Sequence, residues 1–360
     1  MGESAAKPPV VHIATSAGGH IELMVALRTA FDGYRRVWIV QPSLRAEVLA
    51  REGEAVIELP DYDRHPLRGH YLSNITKALR LVLRDQPRVV VTSGAGATVP
   101  FCVLARLFGA RVVFVETMAR VTGPSSSGKV LSRLASRVLV QWAEVAKFYP
   151  RTTVCRPALL RSVGTGERAG GQGVFVGVGT HIQAFDRLLE TVDRAAGEGI
   201  LPRPIVAQGG PSTYRPRNYE LRDWLSPEEV SKAIGAAEYV ICHAGSGLMS
   251  SALQAGRRPL VLPRRATFDE HFDDHQTQIV AKLADVGLVV PIDEEITEAD
   301  LAAAREPLRP PDMWGLEPNV AEALRSELES ALGSPPETPP AAPRRITPRL
   351  ASTATERRIA

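Results

Sequence analysis

The strongest constraint in this chain is a repeated switch of hydrophobic period. Short continuous apolar runs, each followed by a glycine-bearing turn, alternate with helical stripes, and the alternation restarts half-way along. In the first series Val10–Ala14 leads to Gly18-Gly19 and a stripe through Met24, Leu27 and Phe31. Arg36–Val40, Ala55–Leu59, Arg88–Thr92, Arg111–Val115 and Arg137–Val140 are further strand candidates, and Leu72, Ile75, Leu79 and Val82 mark one of the helices between them. In the second series Val174–Val178 precedes a helix with Phe185, Leu188, Leu189 and Val192 on one face. Ile205–Ala207, Tyr239–Cys242, Leu260–Leu262 and Leu288–Pro291 read as its other strands. Ser226-Pro227-Glu228-Glu229 is a capping box with proline at the first helical position, and Gly256 closes the helix before Leu260. Runs that are apolar on both faces belong to parallel strands covered by helices on both sides. The expected fold is therefore α/β, with two Rossmann-like, doubly wound domains facing a central cleft.

At 360 residues the chain exceeds what one core usually supports. Residues 1–163 form the expected first domain, 164–173 a glycine-rich linker, 174–333 the second domain, and 334–360 a Pro/Arg tail too poor in apolar groups to order. The formal charge is +3, but the tail alone carries five Arg against two Glu, so the folded part is neutral. A nucleic-acid binder would normally carry its basic charge on the fold, so no nucleic-acid partner is expected. Cys102, Cys155 and Cys242 are scattered and share no ligand spacing, which fits reduced thiols in a cytoplasmic protein. Met1 to Pro9 lacks the apolar stretch of a secretory signal. The longest uncharged window, Val89 to Ala105, is broken by glycines and a proline and is too short to span a bilayer.

Four glycine-rich turns follow predicted strands: Ser16–His20, Ser93–Gly96, Gly177–His181 and His243–Gly247; a fifth, Gln208-Gly209-Gly210, ends another. In open α/β sheets ligands sit at the carboxyl ends of strands, where such turns lie. Glycine lets the main chain approach an anion, and the next helix supplies unpaired N–H groups. Five turns across two halves point to one ligand cleft. None completes G-x-G-x-x-G, and Gly123-Pro-Ser-Ser-Ser-Gly128-Lys129 fails the P-loop at Val130, so neither a nicotinamide enzyme nor a kinase is supported.

His20 stands where a helix begins, suited to accept a hydroxyl proton as a general base or merely to cap the turn. Glu116 and Arg120, spaced i, i+4, suit a structural ion pair or an acceptor contact. The segment Asp269–Gln276 is rich in ligand-type side chains. His271 and His275 share a helical face, but the zincin glutamate is replaced by Phe272, so the expectation is a sugar- or diphosphate-binding turn without a metal.

These residues resemble a known family. SAGGH (Ser16–His20), TSGAGATVPF (Thr92–Phe101), VETMARV (Val115–Val121), SSSGKVL (Ser125–Leu131) and QWAEVAKFYPR (Gln141–Arg151) are similar to the membrane-associated subunit of the dolichol-pathway UDP-GlcNAc transferase and its bacterial exopolysaccharide counterparts. VGTHIQAFDRLL (Val178–Leu189), QGG (Gln208–Gly210), DWLSPEEV (Asp223–Val230), HAGSG (His243–Gly247) and DDHQ (Asp273–Gln276) resemble the partner catalytic subunit and, more distantly, MurG of glycosyltransferase family 28. The resemblance implies a GT-B fold with acceptor and donor halves fused in one chain. It implies an inverting, metal-free transfer of a hexose (GlcNAc, Gal or GlcA) from a UDP-sugar to a lipid-pyrophosphate-linked saccharide. The product would enter cell-surface polysaccharide, and the enzyme would sit peripherally on the inner face of the membrane.

By motif position Gly18, Gly19, Gly94, Glu116 and Arg120 match acceptor-side positions, with His20 as catalytic base. Gly179, Thr180, His181, Gln208, Gly209, Gly210, His243, Ala244, Gly245, Ser246 and Gly247 match nucleotide and diphosphate positions, and Asp274, His275 and Gln276 the donor sugar. Two departures stand out. Ser251 occupies the place of the ribose-gripping glutamate of relatives. The N-terminal anchor of several acceptor-half relatives is not expected here, so membrane contact would rest on surfaces such as Leu72, Ile75, Lys77, Leu79, Arg80 and Arg84, a pattern that an ordinary amphipathic core helix explains slightly better. The rival readings are a UDP-GlcNAc 2-epimerase of the same fold and a non-catalytic nucleotide-sugar binder.

Overall fold

The computed structural model describes residues 8–59, 70–158, 170–179, 183–270, 275–308 and 318–335. Seven parallel strands make the first sheet: β1 (Val10–Ala14), β2 (Arg35–Val40), β3 (Ala55–Glu58), β4 (Val89–Thr92), β5 (Arg111–Val115), β6 (Arg137–Val140) and β7 (Thr152–Val154). Their order is β3-β2-β1-β4-β5-β6-β7, so the direction of winding reverses between β1 and β4. Helices α1 (Gly19–Ala26) and α2 (Leu44–Arg51) pack on one face. Helices α3 (His70–Asp85), α4 (Val99–Leu107), α5 (Ser126–Leu134) and α6 (Ala143–Ala146) cover the other.

The second sheet repeats the plan with β8 (Val174–Gly177), β9 (Ile205–Gln208), β10 (Glu220–Arg222), β11 (Tyr239–His243), β12 (Leu260–Leu262) and β13 (Val290–Pro291), in the order β10-β9-β8-β11-β12-β13. Its flanking helices are α7 (Asp186–Gly197), α8 (Pro227–Ala236), α9 (Ser246–Gln254), α10 (His275–Asp285) and α11 (Glu298–Arg305). The Ser226 capping box forms as expected, with Ser226 Oγ accepting from Glu229 N. The edge strands β7 and β10 escaped the sequence reading; each is three residues long, too short for a periodic signal.

One helix crosses the expected domain division. α12 (Val320–Leu332), placed by sequence in the second domain, lies across β4, β5 and β6 of the first sheet. Leu324 and Leu328 are wholly buried in one cluster with Val11, Ile13 and Val91. Glu327 pairs with Arg111 and Arg137, both at 2.9 Å, and Tyr34 Oη donates to Gly333 O at 2.8 Å. The cause is coverage: α1 and α2 shield the β1–β3 side of that face, and α12 brings the apolar stripe that β4–β6 require. The expected linker lies mostly, and the expected tail almost wholly, outside the described residues.

The halves share a core. Met118, Val121, Trp142 and Val145 of the first belong to one apolar cluster with Met249, Leu253, Ile279 and Leu283 of the second. Thr122 Oγ1 donates to Gln278 Oε1 at 2.8 Å, and Lys282 pairs with Glu144 at 2.7 Å. This packing holds α9 and α10 against the turns at the carboxyl ends of the first sheet.

Candidate active site

Helix caps locate the site. α2, α5, α8, α11 and α12 begin with Ser43, Ser125, Ser226, Thr297 and Asn319, whose side chains accept from the first turn. α4, α6 and α7 also lack a side-chain cap, but α1 and α9 are the described helices with glycine at the cap itself, Gly18 and Gly245, so no side chain stands over their first amides. The two starts meet across the gap: a Cβ on Gly19 would lie 3.4 Å from Ser246 Oγ. Gly18 sits at φ 72°, ψ −141°, a conformation that only glycine adopts without strain. Two helix N-termini aimed into one cleft favour an anion between them.

His20 lies in the first turn of α1, and its Nδ1 is 3.1 Å from Ser93 O and 3.2 Å from Ser93 Oγ. A carbonyl only accepts, so Nδ1 carries the hydrogen and the neutral ring keeps its lone pair on Nε2. Burial lowers the His20 pKa to about 4; the bond to Ser93 opposes this, and the charges of Arg120 and His275 add to it. Acceptor-side His20 and Arg120 thus share an electrostatic neighbourhood with donor-side His275. Ser93 is fixed by Thr15, whose Oγ1 is 2.8 Å from Ser93 Oγ. Beside it Gly94 (φ 90°) and Ala95 (φ 76°) form a tight turn in which Ala95 N donates to Ser127 Oγ at 3.1 Å.

Glu116 is placed differently from an open acceptor contact. It is buried, and its carboxylate accepts from Thr117 N (2.9 Å), Ser125 N (3.1 Å) and Tyr149 Oη. Its oxygens are spent tying the strand end to the start of α5.

On the donor side, the ring of His243 is wedged between two glycines. A Cβ on Gly179 would lie 2.3 Å from His243 Cε1, and one on Gly245 2.0 Å from Nε2. Gly247 and Ala244 lie on the same β11–α9 turn, and Ser251, one turn along α9, donates from Oγ to Gly247 O at 3.0 Å. Gln276, buried at the start of α10 beside His275, accepts from Arg264 N at 3.0 Å through Oε1. Thr180, His181 and Asp274 lie outside the described residues.

The Gln208-Gly209-Gly210 turn departs from the expectation of open amides. Gly209 N donates to Arg222 O (2.9 Å) and Gly210 N to Asp223 O (2.8 Å), because β10 and the chain beyond it pair alongside. Gln208 is buried and clamps neighbouring turns: its Oε1 accepts from Leu225 N at 3.1 Å, and its Nε2 is 3.5 Å from Gly179 O.

Sequence reading missed two residues. Trp224 is half exposed beside Gly210, where a Cβ would lie 3.6 Å from its ring. Arg264 is fully buried and donates to the main chain of both donor turns. Neither belongs to a glycine motif, although an arginine two residues after an apolar strand was a readable anomaly. Among the described residues no three His, Cys, Asp or Glu side chains gather as a metal would need.

Comparison with known proteins places this geometry. The family model "Oligosaccharide biosynthesis protein Alg14 like" matches residues 70–156, and "Glycosyltransferase family 28 C-terminal domain" matches residues 174–328. The chain is 30% identical over 336 residues to the UDP-N-acetylglucosamine–N-acetylmuramyl-(pentapeptide) pyrophosphoryl-undecaprenol N-acetylglucosamine transferase of Burkholderia lata, covering 83% of this chain and 87% of that protein. The chain belongs to the MurG-like glycosyltransferases of family 28. Its fold is similar to that of Acinetobacter baumannii MurG (TM-score 0.60, 18% identity, 90% of this chain and 99% of that one). A UDP-N-acetylglucosamine 2-epimerase from Rickettsia bellii shares the fold to the same degree (TM-score 0.61, 11% identity, 90% and 96%). The family 28 chain described here therefore has the GT-B architecture, with the Alg14-like segment in the first sheet's domain and the family 28 segment in the second except for its end, which reaches into α12 on the first sheet.

Proposed function

We propose that this glycosyltransferase moves a hexose from a UDP-sugar to a lipid-pyrophosphate-linked saccharide, with inversion, in the assembly of a cell-surface polysaccharide. The observation that carries the reading is the meeting of the uncapped starts of α1 and α9 beside a neutral His20. The Burkholderia relative, whose name gives a UDP-sugar donor and a pyrophosphoryl-undecaprenol acceptor, supports the substrate classes.

In this mechanism the acceptor hydroxyl donates its proton to His20 Nε2 while its oxygen attacks the anomeric carbon from the face opposite UDP. The bond from that carbon to the diphosphate oxygen breaks, and its electron pair leaves on the diphosphate. The growing charge is met by the open amides of Ser246 and Gly247, which are already oriented and need no rearrangement. Those donors do the work a metal would otherwise do, so the transfer proceeds without one. Burial keeps His20 neutral, and the charges of Arg120 and His275 add to it; the negative charge of a bound diphosphate would oppose all three and make His20 a stronger base. The exposed ring of Trp224 offers a face for the base, and Ser251 Oγ keeps its acceptor capacity for a ribose hydroxyl.

The acceptor's lipid directs attention to α3–α6. These helices hold two carboxylates, Asp85 and Glu144, and both are paired, with Arg84 and Lys282. The same stretch carries exposed Arg80, Arg84, Arg106, Lys129 and Arg133 and exposed Leu83 (53%), Leu107 (72%) and Phe108 (57%). Of the expected contact residues Leu79 and Arg80 are exposed, Ile75 and Lys77 are half-buried, and the side chain of Leu72 lies outside the described residues. A basic, apolar face suits the anionic inner leaflet. No helix among the described residues is long and apolar enough to cross a membrane.

The test is a set of labelled UDP-sugars incubated with purified protein and membrane lipid extract. Label in the lipid phase is the expected result. A changed UDP-sugar in the absence of lipid would instead mark an epimerase, and UDP binding without any product a non-catalytic binder.

A further inference from the structure

Arg264 lies two residues beyond β12 with no exposed surface, and it spends its side chain on main-chain carbonyls. Nη1 donates to Gln183 O (2.9 Å), Ala184 O (3.1 Å) and Glu270 O (3.1 Å), and Nη2 to Val178 O (2.8 Å). The guanidinium also lies 4.6 Å from the centroid of the Phe185 ring. The carbonyls of Val178, Gln183 and Ala184 lie between β8 and α7, and that of Glu270 lies after β12. The main-chain N–H of Arg264 donates to Gln276 Oε1 at 3.0 Å, so the same residue also fixes the start of α10.

Burying a guanidinium among neutral carbonyls is costly, and burial lowers its pKa to about 10 with Glu270 opposing. The nearby carboxylate is engaged elsewhere: Glu270 takes Arg187 at 2.7 and 2.9 Å and Arg265 N at 3.0 Å. An apolar side chain of similar length would fill the same volume without that cost. What it would lack is a planar fork able to hold several carbonyls at fixed angles.

We infer that Arg264 is a positioning residue for the donor. It joins the turn carrying Gly179 to the segment carrying Gln276, and so sets the spacing between the diphosphate-side and sugar-side contacts. This rests on the donor assignment above. Arg264 touches no substrate; it acts through the main chain of both turns.

The experiment uses the full chain with Arg264→Met, which keeps the bulk, and Arg264→Lys, which keeps the charge but not the fork. Three readouts are taken: UDP affinity by calorimetry, Michaelis constants for donor and acceptor, and amide hydrogen exchange of the unliganded protein. In Arg264→Met the donor KM and the UDP Kd should rise at least tenfold, with the acceptor KM within twofold. Exchange should quicken at residues 178–179, 183–185, 263–270 and 275–276 and stay unchanged in the first sheet. Arg264→Lys should recover part of the donor affinity. A UDP Kd within twofold of wild type, or equal losses for donor and acceptor, would overturn the inference. If Arg264→Met does not fold, the comparison of Arg264→Lys with wild type decides by the same criteria. Failure of the wild-type protein to bind UDP would sink the donor assignment, and this role with it, whatever the exchange pattern.

Discussion

Replacing His20 tests the mechanism at its most exposed point. Burial lowers its pKa to about 4, so at pH 7 the base is present in its neutral form, and none of the effect of His20→Ala comes from protonation state. A positioned base contributes typically 10²–10⁴-fold. The low basicity of His20 argues for the lower half of that range, roughly 10²–10³-fold in turnover, or about 2.7–4 kcal/mol at 1.36 kcal/mol per decade. The pH profile carries a sharper signature. Because the folded pKa is depressed below 6.5, the acid limb of kcat/KM, which reports the free enzyme, should fall near pH 4 and leave the range from 5 to 8 flat with respect to this group. Bound diphosphate raises the same pKa, so the acid limb of kcat should lie at higher pH than that of kcat/KM. The stability sign agrees: His20 favours the folded state above pH 6.5, and its contribution is lost as pH falls toward 4. The assay is label transfer into lipid across pH 4 to 9, with circular dichroism confirming the fold. A loss under tenfold, or a kcat/KM limb at 6.5 that vanishes in His20→Ala, would refute the assignment.

Other outcomes follow from the same geometry. Gly245→Ala places a methyl 2.0 Å from His243 Nε2, and the ring cannot retreat because Gly179 backs it, so thermal unfolding should show about 1–3 kcal/mol of destabilisation with weakened UDP binding by calorimetry. Leu328→Ala on α12 should cost about 2–5 kcal/mol and speed hydrogen exchange in β4–β6 of the first sheet, not in the second. Glu116→Gln leaves the donors that converge on Glu116 competing for one acceptor oxygen and should cost about 1–3 kcal/mol in denaturant unfolding. Arg80→Glu with Arg84→Glu should weaken sedimentation with anionic vesicles by about tenfold or more and leave binding of UDP unchanged.

Much of this architecture was legible because the period of the sequence changes wherever the backbone does. β1, β5, β6 and β12 match the strands read from apolar runs to the residue, and the Ser226 capping box is where its four letters place it. What escaped was decided by tertiary partners. The stripe of α12 says only that it needs an apolar surface; that the surface is β4–β6 depends on how much of the first sheet α1 and α2 leave bare. β7 and β10 acquire their conformation from the strands beside them. Glu116 and Arg120 share a spacing that suits an ion pair, yet the Glu116 carboxylate is filled from Tyr149 and the start of α5, contacts far apart in sequence.

The glycine turns show how a correct motif can hide two opposite roles. Gly209-Gly210 and Gly245-Ser246-Gly247 both follow parallel strands, and residue type alone treats them as equivalent anion cradles. They differ in what comes alongside. The chain after Gly210 returns as an edge strand, and Arg222 and Asp223 consume the amides that a phosphate would have used. After Gly245 the chain turns directly into α9 with no side chain at the cap, so its amides remain open and face the equally bare start of α1. Glycine permits a close approach, but whether a ligand or another strand makes it is settled by the accounting of main-chain hydrogen bonds. Gln208 combines the two roles, since its Oε1 holds Leu225 N while its Nε2, 3.5 Å from Gly179 O, has a second N–H to offer. Gly209→Ala should therefore act through Leu221, 2.9 Å from the added Cβ, lowering stability in proportion to any loss of UDP affinity. A large affinity loss at unchanged stability would mean that this turn reaches the ligand after all.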